Sequence, residues 1–427
     1  MIESLYPLCR SITGNGVRQT LAQVADFLPL TIHEVPSGTA VFDWTVPKEW
    51  NIRQAWIANK RGEKVVDFAN HNLHILNYSV SVNKSVSRSE LLRHVFSLPD
   101  MPDAIPYRTS YYNETWGFCV THNQLLTLTD VEYDVFIDAS LKPGSLTYGE
   151  YFHQGASSEE IIIYTHICHP SICNDNLTGI ALLAHLANYL ATQKTWYSYR
   201  FIFAPGTIGS ITWLSRNQQN LDRVKYALVA CLLGDDGKIT YKETRGQNAT
   251  LDRLIRTAFT AAGRDYRTER FSPYGYDERQ FSAPGINVPT ARITRSANGT
   301  YPEYHTSDDN LSFVKAENLA DSYQAIVDVL NLIENNVVYV NTQPMCEPQL
   351  GRRGLYSKSG GKKRVGQREL ALLWVLNLAD GSHDLASIIE RSQLSFAEIY
   401  NAVQELVECG LLTTSGVARH GERSAGE

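Results

Sequence analysis

The sequence has no CxxC pair, although it carries seven cysteines in 427 residues. They are scattered and odd in number, which excludes a disulfide scaffold and fits free thiols in a reducing cytoplasm. No apolar run reaches 18 residues, so no membrane-spanning helix is expected. The opening "MIESLYPLCRSITGNGVRQ" lacks a basic stretch followed by an apolar one and does not read as a secretory signal. Positive charge is not in excess either. With 39 Lys and Arg against 45 Asp and Glu the net charge is −6, which argues against a nucleic-acid-binding surface over the whole chain. What is abundant is aromatic: 23 Tyr and 7 Trp, which either line a pocket or pack a β-rich core.

The length predicts two or three domains. Residues 1–30 read as helix, with Val17, Leu21, Val24 and Leu28 on one face. Between about residues 41 and 137, short alternating runs broken by Gly, Asn and Pro read as β-hairpins. From residue 157 the texture becomes that of an α/β domain. "EEIIIYTHICHP", "YRFIFAPGTIGS", "VKYALVACLLGDDG" and "GINVPTARIT" read as buried strands. They alternate with helical stretches such as "LDRLIRTAFTAAG", and "LADSYQAIVDVLNLIENN" reads as the closing helix. Alternation of this kind predicts a mainly parallel sheet whose functional residues sit where strands end. Residues 348–364 read as a Gly-rich, basic linker. Beyond it, three short helices and the turn "GLLTTSG" suggest a winged helix, with Ser395 and Glu398 as a capping box.

The densest chemistry is in "YTHICHPSICNDNLTG", where His166, Cys168, His169, Cys173 and Asp175 fall within a few residues. The spacing does not match a closed zinc finger, and His166 ends a strand while Asp175 opens a helix. Buried core histidines are the plain alternative. Other strand ends add polar candidates: Asp235 and Asp236; Asp277, Glu278 and Arg279; His305, Asp308 and Asp309. Histidines and aspartates converging on one sheet edge are what a zinc hydrolase requires, with a position left for water.

At these residues the chain resembles the zinc aminopeptidase superfamily, which includes bacterial aminopeptidases and glutaminyl cyclases. It is more closely similar to a bacterial aminopeptidase-like family with a β-domain insert and a C-terminal winged helix. The resemblance rests on "LYPLCRSITGNGVRQTL", "GTAVFDWTVPKEWNIR", "YRTSYYNETWGFC", "THICHPSICNDNLTG", "GYDERQFSAPG" and "YPEYHTSDDN" and covers nearly the whole chain. It implies an α/β fold with a mixed, mainly parallel sheet flanked by helices. The expected domains are an aminopeptidase-like domain over 1–33 and 138–347, a β-rich insert over 34–137, and a winged helix over 365–427.

The resemblance further implies metal ligands at His166, Asp175, Asp235 and His305, with one zinc ion rather than two, or none. The orienting Asp of the superfamily's first motif is replaced by Cys168, which leaves His169 in competition as ligand or orienting group, with Asp308 as another alternative. The superfamily's glutamates at the next strand end, one a ligand and one the general base, are missing: Pro205, Gly206 and Thr207 stand there. Asp277, Glu278 and Arg279 are the replacement candidates for the chemistry, and Glu303, Tyr304, Tyr112 and Trp116 for substrate binding.

Three functions follow as expectations: a metal-dependent hydrolase acting on an amide of a small aminoacyl or peptidyl substrate; a repurposed site that binds a ligand or catalyses another step; and a regulatory nucleic-acid role. The last has a basic run (Arg352, Arg353, Lys358, Lys362, Lys363, Arg364) in its favour. Against it, the expected recognition helix "SFAEIYNAVQELVEC" has three Glu and no Lys or Arg, so a homo-oligomer or protein contact fits this domain better.

Overall fold

The structure, a computed structural model, describes residues 1–246, 249–356 and 366–415. It divides into two compact units, residues 1–246 with 267–323, and residues 247–266 with 324–427. No helix among the described residues is long and apolar enough to cross a membrane.

The longer strands of the first unit are β1 (Thr31–Pro36), β2 (Glu49–Asn59), β3 (Lys64–Asp67), β4 (Val82–Ser87), β5 (Glu132–Lys142), β6 (Ser145–His153), β7 (Glu160–His166), β8 (Ser198–Ala204), β9 (Val224–Ala230), β10 (Ile239–Lys242), β11 (Tyr266–Glu269) and β12 (Thr290–Thr294). Eight form one mixed sheet in the order β1-β6-β8-β7-β9-β12-β10-β11. Its four central strands, β8-β7-β9-β12, run parallel, while β1, β6 and β10 pair antiparallel. β7 reads "EIIIYTH" and every residue in it is buried, because a central strand covered on both faces has no polar side. Its Ile162 and Tyr164 share one apolar core with Ile202 of β8, Val229 of β9 and, from the insert, Trp50 and Ile57.

The insert's four-stranded sheet runs β3-β2-β5-β4. The insert also reaches the sheet edge where the site lies. Ile105 N donates to Ser307 Oγ (2.9 Å), Ser307 N to the Ile105 carbonyl (2.9 Å) and Tyr107 N to the His305 carbonyl (2.7 Å).

The N-terminal expectation of one helix over 1–30 is corrected. Helix Ile2–Leu5 ends before Pro7, which has no N–H to offer a continuing helix, and α1 covers Asn15–Ala25. The stretch between them carries Arg10, which is buried and serves the site below. After β7 comes α2 (Thr178–Ala191), and after β8 comes α3 (Ile208–Arg216).

The second unit contains α4 (Ala249–Ala261), α5 (Gln367–Leu378), α6 (Leu385–Ser392) and α7 (Phe396–Glu408). A three-stranded sheet joins β13 (Val338–Asn341) to β14 (Asp380–Asp384) and β15 (Leu412–Thr414). α7 opens with the expected capping box and buries Ile399, Val403 and Leu406. α4 reads in sequence as a helix of the α/β alternation, yet it belongs to this unit. Arg253 on it ion-pairs with Asp384 (3.0 Å) and Glu390 (2.8 Å). Of the basic run, Lys358, Lys362, Lys363 and Arg364 lie outside the described residues.

Candidate metal centre

β7 ends at His166, and the loop to α2 carries "NDN". The two asparagines are the stitches. Asn176 donates to the His166 carbonyl (3.0 Å) and Thr165 Oγ1 (2.6 Å) and accepts from Leu232 N (3.1 Å). Asn174 accepts from Gly234 N (2.9 Å) and donates to Asp235 Oδ2 (2.8 Å). The loop is thus fastened to the ends of two parallel strands, with Asp175 held between the asparagines. Gly179 completes the motif, because a Cβ there would stand 2.4 Å from Thr165 Oγ1 and 2.6 Å from the Asn176 amide.

Asp175, fully buried, is the centre. His166 Nε2 lies 2.6 Å from its Oδ1, and His305 Nε2 lies 3.0 Å from its Oδ2. Neither Asp175 Oδ2 nor His305 Nε2 has a hydrogen-bond partner. A buried carboxylate oxygen and an imidazole nitrogen left unsatisfied side by side are costly unless something is coordinated between them. Burial pushes the pKa of His166 down, and likewise that of His305, despite the nearby carboxylate. Burial works against ionisation of Asp175, but His169 and His166 hold its carboxyl well below the usual range. Two imidazole nitrogens around a carboxylate are a donor set that fits zinc.

His166, His169 and Asp175 offer ligand atoms within 4.8 Å of one another, so His169 belongs to the cluster. Both of its nitrogens are nevertheless committed. Nδ1 faces the Asp175 carbonyl (3.1 Å) and Oδ1 (3.3 Å), and Nε2 meets the Tyr276 hydroxyl (3.2 Å). Burial would lower its pKa, yet the carboxylate of Asp175 raises it well above the ordinary value. His169 thus meets Asp175 through Nδ1 and Tyr276 through Nε2.

A second set of residues holds the loop. Asp309 accepts from the backbone N–H groups of Cys173 (3.2 Å), Asn174 (2.5 Å) and Asp175 (3.0 Å). Arg10 donates Nε to the His169 carbonyl (2.8 Å). Tyr107 from the insert presents an edge to His169 and to His305, each with ring centroids 5.1 Å apart, and Tyr304 stacks on His305 at 3.9 Å. His305 itself sits at φ +57°, in the left-handed region disfavoured for a side chain this size. Its backbone is held there by the insert.

At the end of β8, Gly206 has no side chain because there is no room for one. A Cβ would stand 2.2 Å from Tyr276 Cε1 and 3.0 Å from Asp277 Oδ2. Tyr276 leans on His166 with ring centroids 4.2 Å apart.

A family model described as "Domain of unknown function (DUF4910)" matches residues 1–336, and a winged helix-turn-helix model matches residues 337–414. The chain belongs to the DUF4910 family. One relative, a Clostridium acetobutylicum protein named for polysaccharide biosynthesis and an aminopeptidase-like domain, is 50% identical over 412 residues, covering 96% of this chain and 95% of the relative. A solved structure from the same organism, described as a candidate peptidase, superposes with a TM-score of 0.91 at 48% identity, over 97% of this chain and 95% of that one. The Bacillus subtilis zinc aminopeptidase BSAP matches with a TM-score of 0.56 at 12% identity, over 77% of this chain and 93% of that one, which shows a shared fold. Zinc-aminopeptidase architecture with a C-terminal winged helix is thus the framework of this DUF4910 member.

Within that framework several sequence expectations are corrected. Asp235 does not face the histidines with free oxygens. It accepts from Asn174, from Gly237 N (2.7 Å) and from Ser296 Oγ (2.6 Å), so it buttresses the loop. Burial opposes the charge of Glu278, but Arg292 (3.2 Å) and Lys242 (2.9 Å) keep its carboxyl below the usual range, and its Oε2 accepts from Tyr276 N (2.9 Å). Arg279 and Asp308 are exposed, and Asp309 is the residue of that pair turned into the site. Cys168 is buried with Sγ 3.8 Å from the Tyr276 hydroxyl. Trp116 is buried against His94 in the insert core, and Tyr112 is exposed beside Trp44. Glu303 is half-buried next to Tyr304. Asn174, Asn176, Arg10 and Tyr276 are the positions that sequence reasoning missed. The paired asparagines flanking one aspartate were the available signal.

Proposed function

We propose that the protein is a single-zinc, aminopeptidase-like hydrolase that cleaves an amide of a small aminoacyl or peptidyl substrate, with His166, Asp175 and His305 holding the ion. The observation that carries this reading is the pair of unpartnered ligand atoms, Asp175 Oδ2 and His305 Nε2, opposite His166 Nε2. Zinc bound there supplies Lewis-acid polarisation of the carbonyl and acidifies water. The chain's own residues do the rest. His169 fixes the carboxylate of Asp175, Asp309 and Arg10 fix the loop, and the His305 side chain, 31% exposed, leaves an approach from solvent.

Proton transfer falls to Asp277. Burial pushes its pKa up to about 7, and its Oδ2, without a hydrogen-bond partner, faces Gly206, where the superfamily's carboxylate is missing. A carboxyl titrating near the working pH is suited to accept a proton and return it. The second reading, a ligand-binding or repurposed site, is favoured by that missing carboxylate alone. The Clostridium relative is named for polysaccharide biosynthesis, so amides carried on amino sugars belong in the substrate panel.

The test is metal analysis of the purified chain with a hydrolysis screen of aminoacyl amides, dipeptides and acylated amino sugars. The expected result is about one zinc per chain and cleavage abolished in His166→Ala. A chain that takes up no zinc sinks the reading, and so does a zinc-loaded chain that leaves the whole panel intact.

A further inference from the structure

Tyr276 fills the space that any side chain at position 206 would need, and the fit is tight. Its backbone is fixed from below, where Glu278 accepts its N–H and is itself clamped by Lys242 and Arg292. Gly275 before it, at φ +159°, has no room for a Cβ, which would meet Glu278 Oε1 at 2.0 Å. The "GYDE" run is therefore a device for presenting one ring. That ring lies against His166, and its hydroxyl reaches His169 Nε2. Nδ1 of His169 faces the carbonyl and carboxylate oxygens of Asp175, and Nε2 meets the phenol oxygen, an arrangement in which the phenol can accept from a protonated Nε2 and keep its own O–H for another acceptor.

Of the neighbouring tyrosines, the hydroxyls of Tyr107 and Tyr111 meet each other (3.5 Å), and that of Tyr301 accepts from Asn174 (3.4 Å).

Resting on the hydrolase reading, we propose that the Tyr276 hydroxyl is a catalytic hydrogen-bond donor to the carbonyl oxygen of the scissile amide, standing in the place vacated at Gly206. Water adds its oxygen to the amide carbon and gives a proton to Asp277. The C=O electron pair moves onto oxygen, where the Tyr276 O–H receives it as a hydrogen-bond donor. The pair then returns, the C–N bond breaks, and the leaving nitrogen takes the proton from Asp277. A preorganised donor aimed at developing charge is worth about 10²–10³-fold in rate when it is removed.

The experiment compares zinc-loaded wild type, Tyr276→Phe, Gly206→Ala and the double variant, measuring zinc content, Tm, KM and kcat on the amide found in the screen. Tyr276→Phe keeps the ring and removes only the hydroxyl. Its kcat is expected to fall about 10²–10³-fold, with KM, Tm and zinc content unchanged. Gly206→Ala displaces the ring and is expected to lose kcat, while the double variant falls no further than Tyr276→Phe alone. A Tyr276→Phe enzyme within about threefold of an active wild type overturns the donor role and leaves the hydrolase reading standing. Losses that multiply in the double variant also overturn it, because Gly206 would then act independently of the hydroxyl. A zinc-loaded wild type inactive on every amide overturns both.

Discussion

Asp277→Asn separates what the buried carboxyl costs from what it does. Asp277 is wholly buried, and Ser210 Oγ donates to its Oδ1 (2.6 Å). Burial raises its pKa from the ordinary 3.8 to about 7. At about 1.4 kcal/mol per pH unit, that displacement corresponds to roughly 4 kcal/mol. A folded-state pKa raised above the unfolded one means that the group's favourable contribution is fully present below about pH 4 and is lost as pH rises through about 7. Asparagine copies the shape of the neutral acid and cannot ionise. The stability of Asp277→Asn relative to wild type is therefore expected to rise by about 3 kcal/mol between pH 5 and pH 8, the part of the window that those pH values span. The assay is urea unfolding at both pH values, followed by tryptophan fluorescence. Every tryptophan but Trp374 belongs to the first unit, so the signal reports the unit that holds Asp277. At the same time amide cleavage is expected to disappear, giving a variant that is more stable and inactive. A stability difference that does not change with pH refutes the burial argument. A fully active Asp277→Asn refutes the proton-transfer role.

Asp309→Ala strips the acceptor from three backbone N–H groups at once and is expected to cost about 3–5 kcal/mol and to lose zinc, read from the urea midpoint and metal content. Retained zinc with an unchanged midpoint would show that the loop holds itself. Glu278→Gln leaves Lys242 and Arg292 buried without their shared counter-charge. It is expected to destabilise the first unit by about 3–5 kcal/mol in the same assay, and a loss under about 1 kcal/mol would contradict a buried ion-pair role.

The four central strands were legible because a strand buried on both faces must be apolar throughout, and "EIIIY", "FIF" and "ALVA" leave little else to be. The breaks in the first thirty residues were not, because Val17, Leu21, Val24 and Leu28 keep helical spacing while Pro7 ends only what precedes α1. Within the site, His166, Asp175 and His305 were readable as a group from their strand ends. The difference between Asp235 and Asp309 was not. An aspartate after a strand looks the same in sequence whether its oxygens point at a cavity or at backbone N–H groups, and only the folded loop decides. Gly206 read as a deletion, since one letter gives no hint that the ring of Tyr276, seventy residues on, occupies the space. α4 belongs to the second unit, where Arg253 ion-pairs with Asp384 and Glu390, contacts that helical periodicity does not encode.

The pairing of residues 105–107 with 305–307 joins parts of the chain some two hundred positions apart, and it is what holds His305 in its left-handed backbone. Contacts of such separation close late, because the intervening chain must be gathered first. The proposed ligand His305 is thus set in place by contacts that the insert supplies. The insert is in this sense a splint: the proposed metal site is complete only with the insert seated against it.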